Sequence, residues 1–429
     1  MLAIASEPIL SIADTAMIGR LGVEPLAARA VASALIGGVY WIFTFLIFGT
    51  TTLVGYHHGA NEPQACGETC LHAIFLAALG GVAVSLSGIV FAPEVYRMMG
   101  AEESVIDQGV LYFRIRIAGA PFTFLFYATV GFLRGIQNTR APMLIAFVAN
   151  GLNLVLDYAL IYGNLGLPAL GLQGAAIAAW TAQFVGAATC LGILLFSSLT
   201  KPYRPFQWRI RLVKLLPLFH IGRDLAIRTG ALRFSLVFAT GSVARMGTAA
   251  LSSHEIAFQL FLLCSDLIDG LAVAGQVLVA KYLGAGRIDA ACRMGKTLIL
   301  CAGVVGFLFA AAFLVAKLPV IQLFTTSPDV MLILSGGIFI LLALFQPLNG
   351  IVFALDGLLI GAYDTRFLMK AMLIGSLGIF VPISWISLHW DLGLMGVWAG
   401  LSLLMLFRLG TNLYRFVSLR WTSAFPADR

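Results

Sequence analysis

The chain has 429 residues, of which 60% are hydrophobic and 11% are charged, and its mean hydropathy is +0.95. Soluble domains average about 45 to 50% apolar and about 25% charged residues, so this composition excludes an ordinary soluble protein and indicates an integral membrane protein. The formal net charge of +7 comes from Lys and Arg residues that fall mostly in loops. Because they do not form one basic patch, we expect no nucleic-acid partner.

Apolar stretches long enough to cross a bilayer recur along the chain at roughly regular spacing. They predict twelve spanning helices at residues 2–20, 31–56, 69–93, 108–133, 142–163, 171–197, 216–244, 250–279, 291–317, 331–361, 367–388 and 394–418. Pro121 in the fourth helix and Pro347 in the tenth predict kinks or broken segments. The sequence therefore predicts an all-α integral membrane protein.

Lys and Arg are distributed unevenly between the loops. The loops after even-numbered helices hold most of them, including the segment KPYRPFQWRIRLVK that begins at Lys201. The loops after odd-numbered helices hold only Arg20, Arg29, Arg97, Arg245 and Lys317. Since basic loops face the cytoplasm, this asymmetry predicts a multi-pass protein of the inner (cell) membrane with both termini in the cytoplasm.

The two halves of the chain repeat each other. LVGYHHGANEPQA, from Leu53, matches LVAKYLGAGRIDA, from Leu278, and GFLRGIQNTR, from Gly131, matches GLLIGAYDTR, from Gly357. Six helices is an even number, so both halves enter the membrane from the same side and form parallel-repeat six-helix bundles. We predict an N-terminal lobe at 1–198, a basic cytoplasmic linker at 199–215, a C-terminal lobe at 216–418 and a cytoplasmic tail at 419–429. The same alignment of the halves predicts that the first helix is truncated and would begin before residue 1.

A first group of polar residues lies inside the N-terminal half. Asp14 is in the first helix, and Asn150, Asn153 and Asp157 fall at i, i+3 and i+7 on one face of the fifth. Insertion of a carboxylate at the bilayer centre costs about 2.5 to 3.5 kcal/mol, so acids in this position indicate a functional role or a specific partner. Carboxylate and amide oxygens can hold a hard cation, and a desolvated carboxyl can hold a proton.

The alternative is that these residues only form hydrogen bonds that fix the packing of the helices. The positions that correspond to Asp14 and Asp157 in the second half are Ala239 and Ile383. A purely structural contact would more readily have been kept in both copies, so the restriction to one half favours a role in transport.

A second charged group lies in the C-terminal half, at Asp224, Arg228, Asp266, Asp269 and Asp356. Asp224 and Arg228 are four residues apart and are expected to pair within the seventh helix, with Asp266 or Asp269 bridging to Arg228. Two interpretations stay open: an ion-pair network that holds the lobe together, and a group that handles substrate or protons.

We expect neither enzyme activity nor a cofactor. The sequence has no phosphate-binding loop, no metal-ligand spacing and no nucleophile motif, and its six cysteines lack paired spacing. His57 and His58 are expected in a cytoplasmic loop, His254 near an external helix start and His389 in an external loop, so a solvated surface is expected for each of these four.

Several segments together resemble one family, the multidrug and toxic compound extrusion (MATE) family, and within it the DinF-like branch. The segments are SIADTAMIGRLGVEPLAA, LVGYHHGANE, GFLRGIQNTRAP, NLVLDY, GLQGAAIAAW and GRDLAIRT. The resemblance implies a twelve-helix exporter whose two lobes enclose an alternating cavity and whose driving force is inward movement of protons or sodium. It also implies that Asp14, Asn153 and Asp157 form the cation site, and that loading this site bends the first helix.

The sequence departs from the family pattern at one position of this site. Ala179 stands where the resemblance leads us to expect Thr, and Thr181 is the neighbouring hydroxyl that would substitute for it. Sodium needs several oxygen ligands, so this departure favours a proton over sodium at Asp14, Asn153 and Asp157.

Our leading hypothesis is a monomeric exporter, coupled to protons or to sodium, of amphipathic and cationic small molecules. The alternative is a flippase of lipid-linked oligosaccharides, in which Arg116, Arg228 and Arg233 would contact the pyrophosphate. A channel or scaffold is disfavoured because Asp14 and Asp157 have no acid at the equivalent positions of the second half and because no soluble domain is predicted.

Overall fold

The computed structural model describes residues 2–99, 103–204, 211–390 and 392–425. Over these ranges the chain is almost entirely helical and contains no strand. The α-helices are α1 (Leu2–Gly19), α2 (Val23–Ile42), α3 (Phe45–Gly59), α4 (Pro63–Met98), α5 (Glu103–Ile117), α6 (Ala120–Gly135), α7 (Arg140–Tyr162), α8 (Leu172–Phe196), α9 (Leu212–Ala244), α10 (Thr248–Gly284), α11 (Ile288–Val315), α12 (Lys317–Phe324), α13 (Pro328–Ile333), α14 (Phe339–Gly361), α15 (Thr365–Gly375), α16 (Val381–His389) and α17 (Gly393–Val417).

The described helices account for the twelve spanning segments predicted from the sequence. Ten segments are long and apolar enough to cross a membrane by length and composition, and α1 and α9 are the other two. Charged residues, among them Arg228 and Arg233, lower the hydropathy of α9. The all-α membrane fold is therefore confirmed.

Several of these segments are interrupted rather than continuous. A turn at Phe43 and Thr44 separates α2 from α3, and α5 ends shortly before α6, which has Pro121 in its first turn. Proline lacks a backbone N–H and is tolerated at a helix start, so the break expected at Pro121 is present. The tenth segment is instead interrupted by a π-helix at Leu334–Ile338, where Gly337 has a φ of 153°, whereas Pro347 lies inside α14.

The repeat seen in the sequence recurs in the backbone conformation. Asn61 and Gly286, at equivalent positions of the two halves, follow the ends of α3 and α10 with φ values of 60° and 67°. Gln137 and Tyr363, a second equivalent pair, follow α6 and α14 with φ values of 67° and 66°. A left-handed residue that ends a helix sets the direction of the next one, so both halves turn in the same way at equivalent points.

Glycines let helices approach closely at equivalent places in the two halves. A Cβ atom on Gly81 of α4 would lie 2.4 Å from the Cα of Pro121 in α6. A Cβ atom on Gly306 of α11 would lie 2.4 Å from the carbonyl oxygen of Gln346 and 2.6 Å from the Cα of Pro347 in α14. These contacts fix the spacing of the helix pairs α4–α6 and α11–α14.

Internal contacts divide the chain into two units, residues 1–222 and 223–429, with the division inside α9. The predicted linker at 199–215 includes part of a 3₁₀-helix, Ser198–Tyr203, and residues 205–210, which lie outside the described ranges. Near its end, Lys214 pairs with Glu68 of α4 within the first unit. The predicted lobe and linker boundaries stay predictions.

The close approach at Gly306 yields a stability test. We expect Gly306→Ala to lower the free energy of unfolding by about 1 to 3 kcal/mol, because its methyl group would overlap the backbone of α14. The control is Gly303→Ala on the same helix, where the nearest atoms lie at 3.6 Å and alanine is the better helix former. The readout is the melting temperature of each variant in detergent, and an equal melting temperature for both variants would contradict the interpretation.

Candidate functional site

A cavity of about 360 Å³ lies within the first unit, between α1, α2 and α5 to α8. Its walls combine apolar and aromatic side chains with a few polar ones. The charged and amide residues of the lining are Asp14, Arg29, Arg116, Asn150, Asn153 and Gln183. Apolar walls with few convergent polar groups are typical of small-molecule sites.

Asp14 of α1 is held by an arginine of the neighbouring helix. Nε of Arg29 donates to Oδ2 of Asp14 at 2.9 Å, and Nη2 lies 2.7 Å from the same oxygen. Nη1 of Arg29 also donates to the hydroxyl of Thr15 at 2.8 Å. We expected Arg29 in a loop, but α2 begins at Val23, so this side chain lies in a helix and neutralises Asp14.

Asp157 and Asn153 lie on α7 and are 1% and 7% exposed. Neither carboxylate oxygen of Asp157 has a hydrogen-bond partner among the described residues, and neither does Nδ2 of Asn153. A buried ionised carboxylate without a partner is costly, so this group calls for a proton or a bound cation. It is the one acid of the predicted cation site whose oxygens both lack a partner within the described ranges.

The structure brings most of the predicted cation-site residues to one place. Asp14, Asn150 and Asn153 line the cavity, and Asp157 interacts electrostatically with Asp14 from its buried position on α7. Thr181 is not brought to the cavity.

The hydroxyl of Thr181 donates to the carbonyl of Ile177 at 2.8 Å within its own helix. Ala179 lines the cavity instead. The wall therefore presents a methyl group where the resemblance led us to expect a hydroxyl.

Asp356 of α14 is the centre of a separate network inside the second unit. Nη2 of Arg228 lies 2.5 Å from its Oδ2, and Arg408 of α17 donates to the same oxygen. Nδ2 of Asn412 donates to Oδ1 at 2.9 Å. The side chains of Asp356 and Arg408 are only 7% and 2% exposed, so this is a buried ion-pair network that joins α9, α14 and α17.

The expected pairing of Asp224 with Arg228 is wrong. Asp224 accepts hydrogen bonds from Arg223, at 2.8 and 3.1 Å, and from the hydroxyl of Thr365, at 3.1 Å. Arg228 binds Asp356 instead, because a carboxylate on a neighbouring buried helix competes with a weak pair on the same helix.

The expected bridge from Asp266 or Asp269 to Arg228 is also absent from the ion pairs of the described residues. Both acids are exposed on α10. Asp269 interacts electrostatically with Asp356, Arg228 and Arg408 without pairing with any of them in the described chain.

The sequence analysis missed three residues that the structure places in these networks, Arg29, Arg408 and Asn412. A signal for Arg408 existed, because an arginine near the middle of the long apolar run Gly393–Val417 is costly in a bilayer. Arg29 carried no such signal, since it lies near the edge of an apolar stretch.

The expectation that His254 is solvated is also corrected. This side chain is 1% exposed, its Nε2 lies 3.3 Å from the hydroxyl of Thr240, and its ring stacks on Phe258 and meets Trp398 edge-on. The helix that carries it begins at Thr248, so His254 is already in the second turn and packs against the core.

Spanning helices in two repeated halves, with a polar cavity and a buried acid, are typical of membrane transporters. The family model described as MatE matches residues 1–159 and 231–386. The chain therefore belongs to the MATE family of multidrug efflux transporters, as the sequence motifs predicted.

Curated relatives extend over nearly the whole chain. DNA damage-inducible protein F of Escherichia coli K12 is 27% identical over 94% of this chain and 86% of its own length. Protein DETOXIFICATION 44, chloroplastic, of Arabidopsis thaliana is 28% identical over 96% and 80%. The probable multidrug resistance protein NorM of Shewanella oneidensis is 26% identical over 94% and 88%.

Solved structures show the same fold. A crystal structure of MATE in the bent conformation matches with a TM-score of 0.88 at 21% identity, over 99% of this chain and 95% of that one. An outward-facing multidrug resistance MATE transporter of the MOP superfamily matches with a TM-score of 0.86 at 20% identity, over 100% and 94%. At this identity the similarity supports the fold alone.

The Asp356 network yields a second stability test. We expect Asp356→Asn to lower the free energy of unfolding by about 3 to 5 kcal/mol, because Arg228 and Arg408 would be left as buried positive charges with no counter-ion. The control is Asp266→Asn, which changes an exposed acid on α10. The melting temperature in detergent reports the effect, and similar values for the two variants would rule out a role for Asp356 in holding the unit together.

Proposed function

We propose that the protein exports amphipathic small molecules by alternating access, in exchange for inward-moving protons. Asp157, Asn153 and Asp14 form the coupling site, with Asn150 beside them. The observation that carries the proposal is the buried carboxylate of Asp157, whose oxygens have no partner among the described residues, next to a cavity of about 360 Å³. A group that must be neutralised, close to a space for substrate, is what an ion-coupled carrier requires.

The ligand set favours a proton over sodium as the coupling ion. Sodium needs several oxygen ligands, but Ala179 offers none and the hydroxyl of Thr181 is bound within its helix. Oδ2 of Asp14 is taken by Arg29. A proton needs only one oxygen, which the carboxylate of Asp157 supplies.

The driving force is sufficient for such an exchange. One charge that moves through a membrane potential of 100 mV releases about 2.3 kcal/mol, which corresponds to a concentration ratio of about fifty. A proton that neutralises Asp157 would therefore bring enough free energy to accumulate substrate outside.

The second unit is proposed to serve mainly as a rigid partner in this cycle. Asp356 forms ion pairs with Arg228 and Arg408, and Asp224 is held by Arg223 and Thr365. Asp266 and Asp269 are exposed on α10 and are therefore accessible to a substrate or a proton.

The remaining parts of the proposal concern topology. We propose that the protein acts as a monomer in the inner membrane. Both termini are proposed to lie in the cytoplasm, because basic residues concentrate in the loops after even-numbered helices. The lobes are proposed at 1–198 and 216–418, with the linker at 199–215 and the tail at 419–429.

The flippase alternative needs several free arginines to hold a pyrophosphate. Arg228 is engaged by Asp356, and of the three candidate arginines only Arg116 lines the cavity of the first unit. These two observations favour export of small molecules.

The coupling site is tested by replacing its acids. We expect Asp157→Asn and Asp14→Asn each to abolish dye movement driven by a pH gradient in liposomes, because the first removes the proton carrier and the second leaves Arg29 uncompensated. The control is Asp289→Asn in the first turn of α11, an exposed acid outside the site.

The coupling ion is tested by imposing pH and sodium gradients separately on the wild-type protein. Transport under the pH gradient alone is expected. Transport under the sodium gradient alone would refute proton coupling, and undiminished transport by Asp157→Asn would refute the site.

A further inference from the structure

We propose that the cavity of the first unit contains an anion-binding subsite centred on Arg116, which takes the carboxylate, sulfonate or phosphate group of an amphipathic substrate. The inference rests on the proposed function as an exporter and specifies its substrate class. It departs from the cationic substrates of the leading hypothesis in the sequence analysis.

The cavity has room for such a substrate. Its volume of about 360 Å³ falls within the range of about 300 to 1,000 Å³ that is usual for sites of drug-sized ligands. The aromatic side chains of Tyr40, Tyr112, Phe126 and Tyr127 form part of the wall. These rings offer apolar surface to the body of an amphipathic molecule, so the charged residues decide which head group fits.

The charges of the lining do not balance. Three charged residues line the cavity, and the carboxylate of Asp14 is neutralised by Arg29, with two of the guanidinium nitrogens of Arg29 within 2.9 Å of Oδ2. Arg116 is the remaining charge of the lining, and it is positive; Asp157 lies behind the wall, 1% exposed. When Asp157 holds the proton of the proposed cycle, a cationic ligand in this cavity would meet an unbalanced positive charge, whereas an anionic ligand would neutralise it.

The guanidinium of Arg116 has no partner in the part of the chain that the structure describes. No ion pair and no hydrogen bond joins it to another side chain there, and its Nε is buried. Asp157 and Asp14 interact with it electrostatically, but from beyond the distance of an ion pair. A guanidinium presents several donors in a planar fork that matches a carboxylate, sulfonate or phosphate, so Arg116 retains its full capacity for such a group.

A second donor lies in the same wall. Nδ2 of Asn153 is buried, belongs to a side chain that lines the cavity and has no acceptor among the described residues. The backbone of Arg116 accepts a hydrogen bond from the hydroxyl of Tyr40 at 3.4 Å. The lining of the cavity therefore offers two kinds of donor to an anionic group, the guanidinium of Arg116 and the amide of Asn153.

The test compares two xanthene dyes of opposite charge, carboxyfluorescein and rhodamine 123. The purified protein is placed in nanodiscs of phosphatidylcholine, without any ion gradient, and dissociation constants are measured by fluorescence anisotropy. We expect the wild type to bind carboxyfluorescein at least about tenfold more tightly than rhodamine 123, because a charge-assisted hydrogen bond contributes at least that much.

Three variants locate the subsite. Arg116→Gln should weaken carboxyfluorescein binding about tenfold or more and leave rhodamine 123 binding unweakened, and Arg116→Lys should lie between it and the wild type because it keeps the charge but loses the planar fork. Asp14→Asn should strengthen carboxyfluorescein binding, since it frees the charge of Arg29. The control is Arg114→Gln, which removes an exposed arginine nearby on α5.

Preferential binding of rhodamine 123 by the wild type, or equal carboxyfluorescein binding by Arg116→Gln and Arg114→Gln, would overturn the inference. If Arg116→Gln does not fold, Arg116→Lys and Asp14→Asn are compared with the wild type instead, because the inference requires their affinities for carboxyfluorescein to shift in opposite directions.

Nanodiscs that contain phosphatidylglycerol identify the source of the anion. Loss of dye binding there assigns the subsite to a lipid phosphate, and retained binding assigns it to a soluble anion.

The experiments distinguish failure of the anion subsite from failure of the proposed export function. Proton-driven export of rhodamine 123 without binding of carboxyfluorescein would refute the anion subsite and leave the exporter intact. Binding of carboxyfluorescein at Arg116 without transport of either dye under any gradient would refute the exporter, while the subsite would remain.

Discussion

The interior of a bilayer has no water to solvate a charge, so each charged side chain there needs a partner, a proton or a bound ion. This constraint explains how the polar residues of the chain are arranged. Asp14 is neutralised by Arg29, and Asp356 is neutralised by Arg228 and Arg408. Beside the cavity of the first unit, Asp157 and Arg116 lack such a partner among the described residues. The proposed coupling and the proposed substrate class both follow from these two departures.

The two halves share features of backbone conformation and helix packing, but their charged residues lie at different positions. Close approaches at Gly81 and Gly306, and the left-handed residues after equivalent helices, recur at matching positions of the two halves. The residue that corresponds to Asp157 in the second half is Ile383. The buried ion-pair network of that half lies at a different position, around Asp356. Backbone packing tolerates few changes at such glycines, whereas a charge can be relocated wherever a partner helix supplies its counter-ion.

Membership of the MATE family and the geometry of the cavity address different questions. The family match covers most of the chain and supports the fold and the general activity of efflux. It does not decide which compounds are carried, because substrates are recognised by the side chains that line a cavity. In this chain Arg29 neutralises the carboxylate of Asp14 that could attract a cation, and Arg116 adds a positive charge to the lining. The substrate class therefore has to be inferred from these residues.

The sequence by itself determined the membrane class, the twelve spanning segments, the repeat, the family and the grouping of Asp14, Asn150, Asn153 and Asp157. The membrane class, the spanning segments and the repeat depend on hydropathy, spacing or periodicity, which are local properties of a chain. The family, and the grouping of Asp14 with the residues of the fifth helix, followed from the resemblance of sequence motifs. Only the tertiary structure decided which charges pair. Arg228 lies one turn from Asp224 but binds Asp356, and Arg29 looked like a loop residue but neutralises Asp14. Such pairs depend on the rotation and crossing of separate helices, which packing fixes and which no short segment encodes.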